Sequence, residues 1–181
     1  MQKSELRKPL LQQRSRLATD DKTAMDQAIS AQLLAWAAQH APTILGVYSP
    51  MRGEPDLHAA FVTLHTQGVC LALPTVVSND APLKFVPWTP GEAMLKDRFG
   101  AMTPAIERKE IFPQALVIPC VGFNKQKFRL GYGGGFYDRT VARNPRPQTV
   151  GVAYSFSLST FDAESFDIAM DSVLTETGCF G

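Results

Sequence analysis

Four closely spaced glycines, with arginines, aromatic residues and an aspartate around them, form the most chemically informative segment of the chain. It reads Arg129-Leu130-Gly131-Tyr132-Gly133-Gly134-Gly135-Phe136-Tyr137-Asp138-Arg139. Glycines let a backbone approach an anion closely, and free N–H groups at a helix start donate to phosphate oxygens. The arginines can neutralise phosphate charge, the aspartate can hold a divalent cation, and the aromatic rings can stack on a flat ligand. The segment therefore predicts a phosphate site in an ATP-using enzyme.

The glycine segment differs from two common nucleotide-binding motifs. No Gly-Lys-Ser/Thr follows it, so it is not a Walker A loop. It also lies two-thirds of the way along the chain and lacks the GxGxxG spacing of a dinucleotide-binding fingerprint. Glycines alone are equally typical of a generic tight turn, and the flanking charges and rings are what favour a ligand site.

The elements that position this segment alternate between helices and strands. Apolar residues at helical spacing predict helices over residues 3–17, 20–40 and 57–67, and another from the glycine segment to about residue 143. Short apolar runs predict strands over residues 43–48, 69–73, 115–119 (continued by 121–123), 149–154 and 171–176, with an edge strand over 83–88. Residues 89–112 are predicted to form a long irregular excursion. The order predicts an α/β fold, a three-layer α/β/α sandwich with a mostly parallel, Rossmann-like sheet.

Bulk composition excludes several classes of protein. A chain of 181 residues with 45% apolar and 19% charged residues is typical of one folded domain, predicted here to span residues 1–181. The net charge of +1 argues against a nucleic-acid binder. The apolar runs are too short to span a bilayer, and the charged N-terminus is unlike a signal peptide, which predicts a cytoplasmic protein. Three scattered cysteines argue against a disulfide framework or a zinc site.

The glycine segment closely resembles the signature of the 5-formyltetrahydrofolate cyclo-ligase family, also called methenyltetrahydrofolate synthetases. The resemblance covers most of the chain and extends, in order, to residues 3–7 followed by Arg14, then to residues 48–56, 119–124, 150–154 and 171–176. Three loop positions vary in the family: Tyr132 and Gly134 stand where some relatives carry a basic residue, and Phe136 replaces a common tyrosine. The remaining segments are weakly specific alone but occur at plausible distances.

The resemblance implies an activity and a mechanism. Family members use ATP and magnesium to convert 5-formyltetrahydrofolate into 5,10-methenyltetrahydrofolate, releasing ADP and phosphate. The formyl oxygen is phosphorylated, N10 closes onto the activated carbon, and phosphate leaves. Such a reaction needs positioning and charge neutralisation more than a protein nucleophile, and the sequence shows no convincing Ser-His-Asp or Cys-His arrangement.

The resemblance also assigns roles to residues. The implied catalytic residues are Arg129, Tyr137 and Asp138, and the implied Mg²⁺ ligands are Asp138 and Asp171. The nucleotide is implied to contact Lys3, Ser4, Glu5, Leu6, Arg7, Arg129, Leu130, Gly131, Tyr132, Gly133, Gly134, Gly135, Phe136 and Tyr137. The folate is implied to contact Ser49, Glu54, Tyr132, Gly133, Gly134, Gly135 and Phe136, with the Glu54 carboxylate on the pterin.

Two alternative functions stay open from the sequence. One is an ATP-dependent kinase or ligase that acts on another small heterocycle through the same site. The other is a nucleotide-sensing module that binds ATP without turnover; the two predicted metal carboxylates argue against it. For the main hypothesis we expect a monomer that binds a small-molecule substrate, with no nucleic-acid or membrane partner.

Overall fold

The computed structural model describes residues 2–97 and 100–181, so two residues of the predicted excursion, Arg98 and Phe99, lie outside the described residues. The helices are α1 (Lys3–Ser15), α2 (Thr19–His40), α3 (His58–Thr66) and α4 (Phe136–Val141), with a 3₁₀ turn at Ser155–Ser157. The strands are β1 (Ile44–Gly46), β2 (Cys70–Thr75), β3 (Lys84–Trp88), β4 (Met94–Lys96), β5 (Met102–Pro104), β6 (Ala115–Pro119), β7 (Gly122–Phe123), β8 (Arg129–Leu130), β9 (Gln148–Val152), β10 (Ser172–Thr175) and β11 (Gly178–Phe180).

The main sheet has the strand order β11-β10-β9-β6-β1-β2-β3 among the described residues. Its five inner strands, from β10 to β2, are all parallel to one another, while the edge strands β11 and β3 pair antiparallel with β10 and β2. Helix α3 connects the parallel pair β1 and β2, as the order of elements predicts. The predicted mostly parallel sheet and the predicted edge strand over residues 83–88 are confirmed.

Side chains on the two faces of the sheet enter separate cores. In β6, Ala115 and Val117 pack on one side with helices α2 and α3, whereas Leu116 and Ile118 pack on the other side with α4. This alternation follows from the two-residue period of a strand. Strands with both faces covered read as continuous apolar runs, which explains why their positions were readable from the sequence. Helices on both faces confirm the three-layer α/β/α architecture.

Helix α1 packs away from the main sheet, on a small ribbon formed by β7 and β8. Leu10 of α1 lies in a third apolar cluster with Val121 and Leu130. The helix begins at Lys3, ends at Ser15 and contains Pro9. Helix α1 therefore lies against the segment that leads directly into the glycine residues.

One local prediction was wrong. Residues 121–123 do not continue β6, because the backbone changes partners there: the amide of Cys120 donates to Val152 of β9, and that of Val121 donates to Leu130 of β8. The helix predicted to run to about residue 143 is α4, which ends at Val141. The excursion over 89–112 contains a short hairpin, β4 with β5.

Within the described residues, none of the helices has both the length and the apolar character needed to cross a membrane.

Candidate active site

A cavity of about 570 Å³ opens where β1, β2 and β6 end, between the turn after β1 and the glycine segment. Ligands of open α/β sheets typically bind at the carboxyl ends of the strands. The residues predicted for folate and for part of the nucleotide site line this cavity together. They are Ser49, Glu54, Arg129, Tyr132, Gly133, Gly134, Gly135, Phe136 and Tyr137.

Glu54 lies at the base of the turn after β1 and is almost fully buried, with 2% of its surface exposed. Its Oε2 accepts a hydrogen bond from the Met51 amide at 2.9 Å, and its Oε1 accepts one from the Tyr132 hydroxyl at 2.9 Å. Burial raises the pKa of the carboxyl above its ordinary value, and these hydrogen bonds with the nearby charges of Arg14 and Arg52 oppose that rise. A buried carboxylate lining a cavity can accept further hydrogen bonds from a ligand.

Tyr132 joins the glycine segment to the rest of the cavity wall. Its hydroxyl lies 2.6 Å from Nη2 of Arg14, and the Arg52 guanidinium lies over its ring at 5.2 Å from the centroid. Burial, followed by the neighbouring Glu54 charge, raises the pKa of Tyr132 to about 12. The hydroxyl therefore stays protonated at neutral pH and acts as a hydrogen-bond donor.

The glycine segment adopts backbone conformations that other residues rarely tolerate. Gly133 has a φ of +99° and Gly135 a φ of +63°, in the left-handed region that favours glycine. Arginines hold the loop from both sides: Nε of Arg7 donates to the Gly131 carbonyl at 2.7 Å, and Nη2 of Arg139 donates to the Gly134 carbonyl at 2.7 Å. The loop thus presents its backbone to the cavity with two cations beside it.

Arg129 and Asp138 form an ion pair at the inner end of the loop. Nη2 of Arg129 lies 2.8 Å from Oδ2 of Asp138, with only 10% and 16% of the two side chains exposed. The guanidinium also lies over the ring of Tyr137, 5.3 Å from its centroid. Burial raises the pKa of the Tyr137 hydroxyl, so it stays protonated. The three residues predicted to be catalytic therefore lie together: Arg129 contacts both Tyr137 and Asp138, which are consecutive in the sequence.

Asp171 is held by partners other than those of Asp138. Its carboxylate pairs with Nη1 of Arg146 at 2.8 Å and accepts hydrogen bonds from the amide and hydroxyl of Thr149 at 2.7 and 2.9 Å. Burial alone acts to raise the pKa of Asp171, but the hydrogen bonds from Arg146 and Thr149 outweigh it and lower the pKa. Thr149 also lines a narrow cleft of about 10 Å³ with Asp138, so a residue that is hydrogen-bonded to Asp171 borders the same cleft as Asp138.

The two predicted metal ligands have the right chemistry for Mg²⁺, which prefers carboxylate oxygens and keeps several waters. In residues 2–97 and 100–181, no group of three or more His, Cys, Asp or Glu side chains is placed to hold a metal. Each predicted ligand is instead paired with an arginine. A magnesium ion here would have to displace those arginines or be completed by the oxygens of a nucleotide.

The start of α1 lies outside the cavity lining. Lys3 pairs with Glu164 at 3.0 Å and with Asp167, and its ammonium lies 5.9 Å from the ring centroids of both Phe161 and Phe166. Four further residues of this helix were predicted to contact the nucleotide. Ser4 and Glu5 are exposed, whereas Leu6 packs on the apolar cluster that contains Leu10. Arg7 alone of this group contacts the glycine segment.

Sequence reasoning missed several residues of the site. Arg14 was noted only as part of the opening helix, yet it is 4% exposed and bonds directly to Tyr132. Its signal was an arginine among the apolar positions of an amphipathic helix. The other residues that line the cavity and were not assigned to the site from the sequence are Tyr48, Met51, Arg52, Pro74, Val76, Asn79, Leu83, Ala101, Met102 and Pro119.

Comparisons with known proteins converge on one family. Residues 1–176 match the model of the 5-formyltetrahydrofolate cyclo-ligase family. The chain is 32% identical over 180 residues to the 5-formyltetrahydrofolate cyclo-ligase of Mycoplasma pneumoniae, covering 97% of this chain and 99% of that protein. It is 26% identical over 172 residues to the enzyme of the same name from Escherichia coli K12, covering 91% and 94%.

Two solved structures share the fold. The 5,10-methenyltetrahydrofolate synthetase of Mycoplasma pneumoniae has a TM-score of 0.82 and 27% identity, covering 97% of this chain and 99% of that one. The NMR structure of the Aquifex aeolicus 5,10-methenyltetrahydrofolate synthetase has a TM-score of 0.83 and 29% identity, covering 99% and 92%. The likeness therefore extends over the whole sheet and its helices.

Proposed function

The chain belongs to the 5-formyltetrahydrofolate cyclo-ligase family, and we propose that it uses ATP to convert 5-formyltetrahydrofolate into 5,10-methenyltetrahydrofolate, releasing ADP and phosphate. The observation that carries this proposal is that the buried Glu54 and the glycine segment line one cavity of about 570 Å³. A polar anchor for a heterocycle and a loop suited to phosphate thus share one cavity.

Glu54 has the acceptor capacity that a pterin requires. Each carboxylate oxygen can accept about two hydrogen bonds, and each accepts one within the protein. One position therefore remains on each oxygen, which suits the two adjacent N–H groups of a reduced pterin in bidentate fashion. Ser49 and the ring of Phe136 line the same cavity and supply a polar neighbour and an apolar wall.

The reaction balances without a protein nucleophile. The formyl oxygen attacks the γ-phosphorus of ATP, and the bond from that phosphorus to the bridging oxygen of ADP breaks. N10 then attacks the formyl carbon and loses its proton, and the carbon–oxygen bond breaks with phosphate as the leaving group. Because a formamide is a poor electrophile with a poor leaving group, phosphorylation overcomes both difficulties, and the protein has to position the reactants and stabilise charge.

We assign the nucleotide to the glycine segment and the start of α1. Residues 129–137 would wrap the phosphates, with Arg7 and Arg139, which already bond to carbonyls of the loop, close enough to balance their charge. Residues 3–6 would lie farther along the phosphates, where Lys3 would exchange its pairing with Asp167 for phosphate oxygens. Arg129 and Tyr137 would act at the reacting phosphate.

We assign Mg²⁺ to Asp138 and Asp171. Bound there, the ion would neutralise charge on the phosphates. The carboxylate oxygens fit its preference, and the arginine of each aspartate would be free to turn toward phosphate once the metal replaces it. We further propose a monomer of one domain over residues 1–181, acting without nucleic acid or membrane.

The test is direct. Purified protein is incubated with Mg-ATP and 5-formyltetrahydrofolate, and the ultraviolet absorbance of the methenyl product is followed together with ADP. Product and ADP are expected in equal amounts. If the folded protein forms no product, the cyclo-ligase proposal is wrong. ADP formed with another heterocycle would then indicate a different kinase or ligase, and ATP binding without ADP would indicate a nucleotide sensor.

A further inference from the structure

One buried guanidinium from α1 connects three separate segments of the cavity wall. Arg14 donates from Nε to the Arg52 carbonyl at 3.0 Å, from Nη1 to the Cys120 carbonyl at 3.4 Å and from Nη2 to the Tyr132 hydroxyl at 2.6 Å. These acceptors belong to the turn after β1, the end of β6 and the glycine segment. A planar fork of fixed donors is suited to joining groups in this way, whereas a lysine ammonium is not.

The direction of the hydrogen bonds around Tyr132 is determined by chemistry. An arginine is always protonated and can only donate, so the Tyr132 oxygen must accept from Arg14. A hydroxyl has a single proton, and the remaining partner of this one is Oε1 of Glu54 at 2.9 Å. The proton of Tyr132 is therefore directed at the carboxylate, which makes a chain from Arg14 through Tyr132 to Glu54.

This chain fixes Glu54 from one side while the protein backbone fixes it from the other. The Met51 amide holds Oε2, and the Tyr132 hydroxyl holds Oε1. With both oxygens held, the carboxylate plane has a defined orientation toward the cavity. Arg7, two helical turns before Arg14 on α1, bonds to the Gly131 carbonyl at 2.7 Å and holds the neighbouring residue of the same loop.

We propose that Arg14 is a positioning residue of the folate site, which acts through the Tyr132 hydroxyl to orient the Glu54 carboxylate. The inference rests on the proposed function for its substrate. Arg14 touches no reacting atom in this scheme, and its effect reaches the pterin only through Tyr132 and Glu54.

The charges around Glu54 give this series of hydrogen bonds a measurable consequence, a change in the Glu54 pKa. Arg14 and Arg52 are the cations that face the carboxylate, and the side chains of Tyr48, Tyr137 and Cys120 face it as weak acids. Burial raises the Glu54 pKa, and the Tyr132 hydrogen bond lowers it. Removing the hydroxyl should therefore raise the Glu54 pKa further, and a protonated Glu54 cannot accept two N–H groups as a carboxylate does.

The experiment compares Tyr132→Phe, Arg14→Gln and the double variant with wild type, using Arg16→Gln, an exposed arginine at the end of the same helix, as a matched control. Tyr132→Phe should raise KM for 5-formyltetrahydrofolate roughly tenfold. KM for ATP should stay within about twofold, because the variant loses only the hydroxyl that bonds Arg14 and Glu54 and keeps the loop backbone that would wrap the phosphates. The same variant should also raise the pH below which kcat/KM for 5-formyltetrahydrofolate falls, the acid limb of the pH profile. Arg14→Gln should act in the same direction, and in the Tyr132→Phe background it should add less than it does alone, because only its charge then still acts on Glu54.

Several outcomes overturn the proposal. The proposal is wrong if Tyr132→Phe leaves both KM for 5-formyltetrahydrofolate and the acid limb of the pH profile unchanged, or if it raises KM for both substrates equally. It is also wrong if the effects of Arg14→Gln and Tyr132→Phe on KM multiply as those of two independent changes would. Because a buried arginine also supports the fold, each variant is assayed below its own Tm, and Tyr132→Phe, which keeps the ring, carries the test if Arg14→Gln fails to fold.

A second readout separates this inference from the proposed function. The Glu54 carboxyl is titrated by ¹³C NMR in glutamate-labelled protein, with its resonance assigned by its loss in Glu54→Gln. The Glu54 pKa should be higher in Tyr132→Phe than in wild type, and an unchanged pKa would overturn the chain from Tyr132 to Glu54. If wild type forms no methenyl product, the proposed function fails while the titration still decides the inference.

Discussion

The two ends of the candidate active site hold their carboxylates in different ways. At the pterin end, Glu54 accepts hydrogen bonds from neutral donors, an amide and a hydroxyl, and borders a cavity of about 570 Å³. At the proposed metal end, Asp138 and Asp171 are each paired with an arginine at 2.8 Å, and Asp138 lines a cleft of about 10 Å³. The first end therefore has room for a ligand, whereas the cleft beside Asp138 does not.

This difference suggests that the two ligands are accommodated differently. A pterin would use acceptor positions that Glu54 already presents, because neutral donors occupy only part of its capacity. A metal–nucleotide complex would have to exchange partners: the cation would take over the aspartates, and the phosphates would take over the arginines. We expect the pterin end to be preorganised and the phosphate end to rearrange when ATP binds.

The largest effect is expected from breaking the metal end. Asp138→Asn should lower kcat on the order of a hundredfold or more, because the proposed metal ligand and the charge opposite Arg129 are both lost. Folate binding measured by calorimetry without ATP should change little, because Glu54 is intact. Unchanged turnover in the folded variant would remove Asp138 from the proposed metal site.

The next largest effect is expected from breaking the pterin end. Glu54→Gln should raise KM for 5-formyltetrahydrofolate by roughly tenfold to a hundredfold, because the amide keeps one acceptor oxygen and loses the charge. KM for ATP should stay near the wild-type value. Asp56→Asn, an exposed carboxylate two residues away, is the control. Equal changes in both KM values would contradict the separation of the two ends.

Asp171→Asn tests the metal end through the pH dependence of the free energy of unfolding. Since the folded state lowers the Asp171 pKa, the ionised carboxylate stabilises the protein above its ordinary pKa, and this contribution is lost as the pH falls through the lower folded pKa. Asp171→Asn should lower the free energy of unfolding by about 1 kcal/mol at pH 7, a modest value because the side chain is 38% exposed.

Urea unfolding at pH 7 and near pH 3 measures this contribution, and the two proteins should converge in acid. A difference of the same size at both pH values would show that the ionised carboxylate is not its source. Turnover of the same variant at saturating Mg²⁺ tests the metal assignment separately, because a stabilising role alone would leave kcat unchanged below the Tm.

The smallest effect is expected at the start of α1. Lys3→Gln should raise KM for ATP about threefold, because an ammonium near phosphate contributes modestly at a partly solvated position. Lys8→Gln, which removes an exposed lysine of the same helix, should leave KM for ATP unchanged. The same KM in both variants would exclude Lys3 from the phosphates and leave its pairing with Glu164 and Asp167 as its role.

Most elements of the fold were predictable from the sequence because they depend on local periodicity. The inner strands are covered on both faces and read as apolar runs, and the helices α1 and α2 show apolar residues at helical spacing. The end of β6 was not predictable. The residues from Val117 to Phe123 are uniformly apolar apart from Pro119 and Gly122, so composition could not reveal that the backbone leaves β9 for β8 after Cys120.

The candidate site divides in the same way. The glycine segment was identifiable as a candidate phosphate site because its glycines, arginines, rings and aspartate lie within eleven consecutive residues, and Glu54 was identifiable through the family resemblance. Arg14 was not assigned a role, because its partner Tyr132 is 118 residues away and no local pattern links them. The ion pair of Asp171 with Arg146 likewise spans 25 residues.

The sequence by itself determined the glycine loop, the order of helices and strands, and the family. These depend on residues close together in the chain: glycines that permit positive φ, apolar side chains at a period of 2 or 3.6, and a contiguous signature. Only the tertiary structure decided that α1 brings Arg14 into contact with the glycine loop, and that the Tyr132 hydroxyl of that loop donates to Glu54. Such contacts depend on how distant segments pack, and the packing of α1 on the β7–β8 ribbon brings them together.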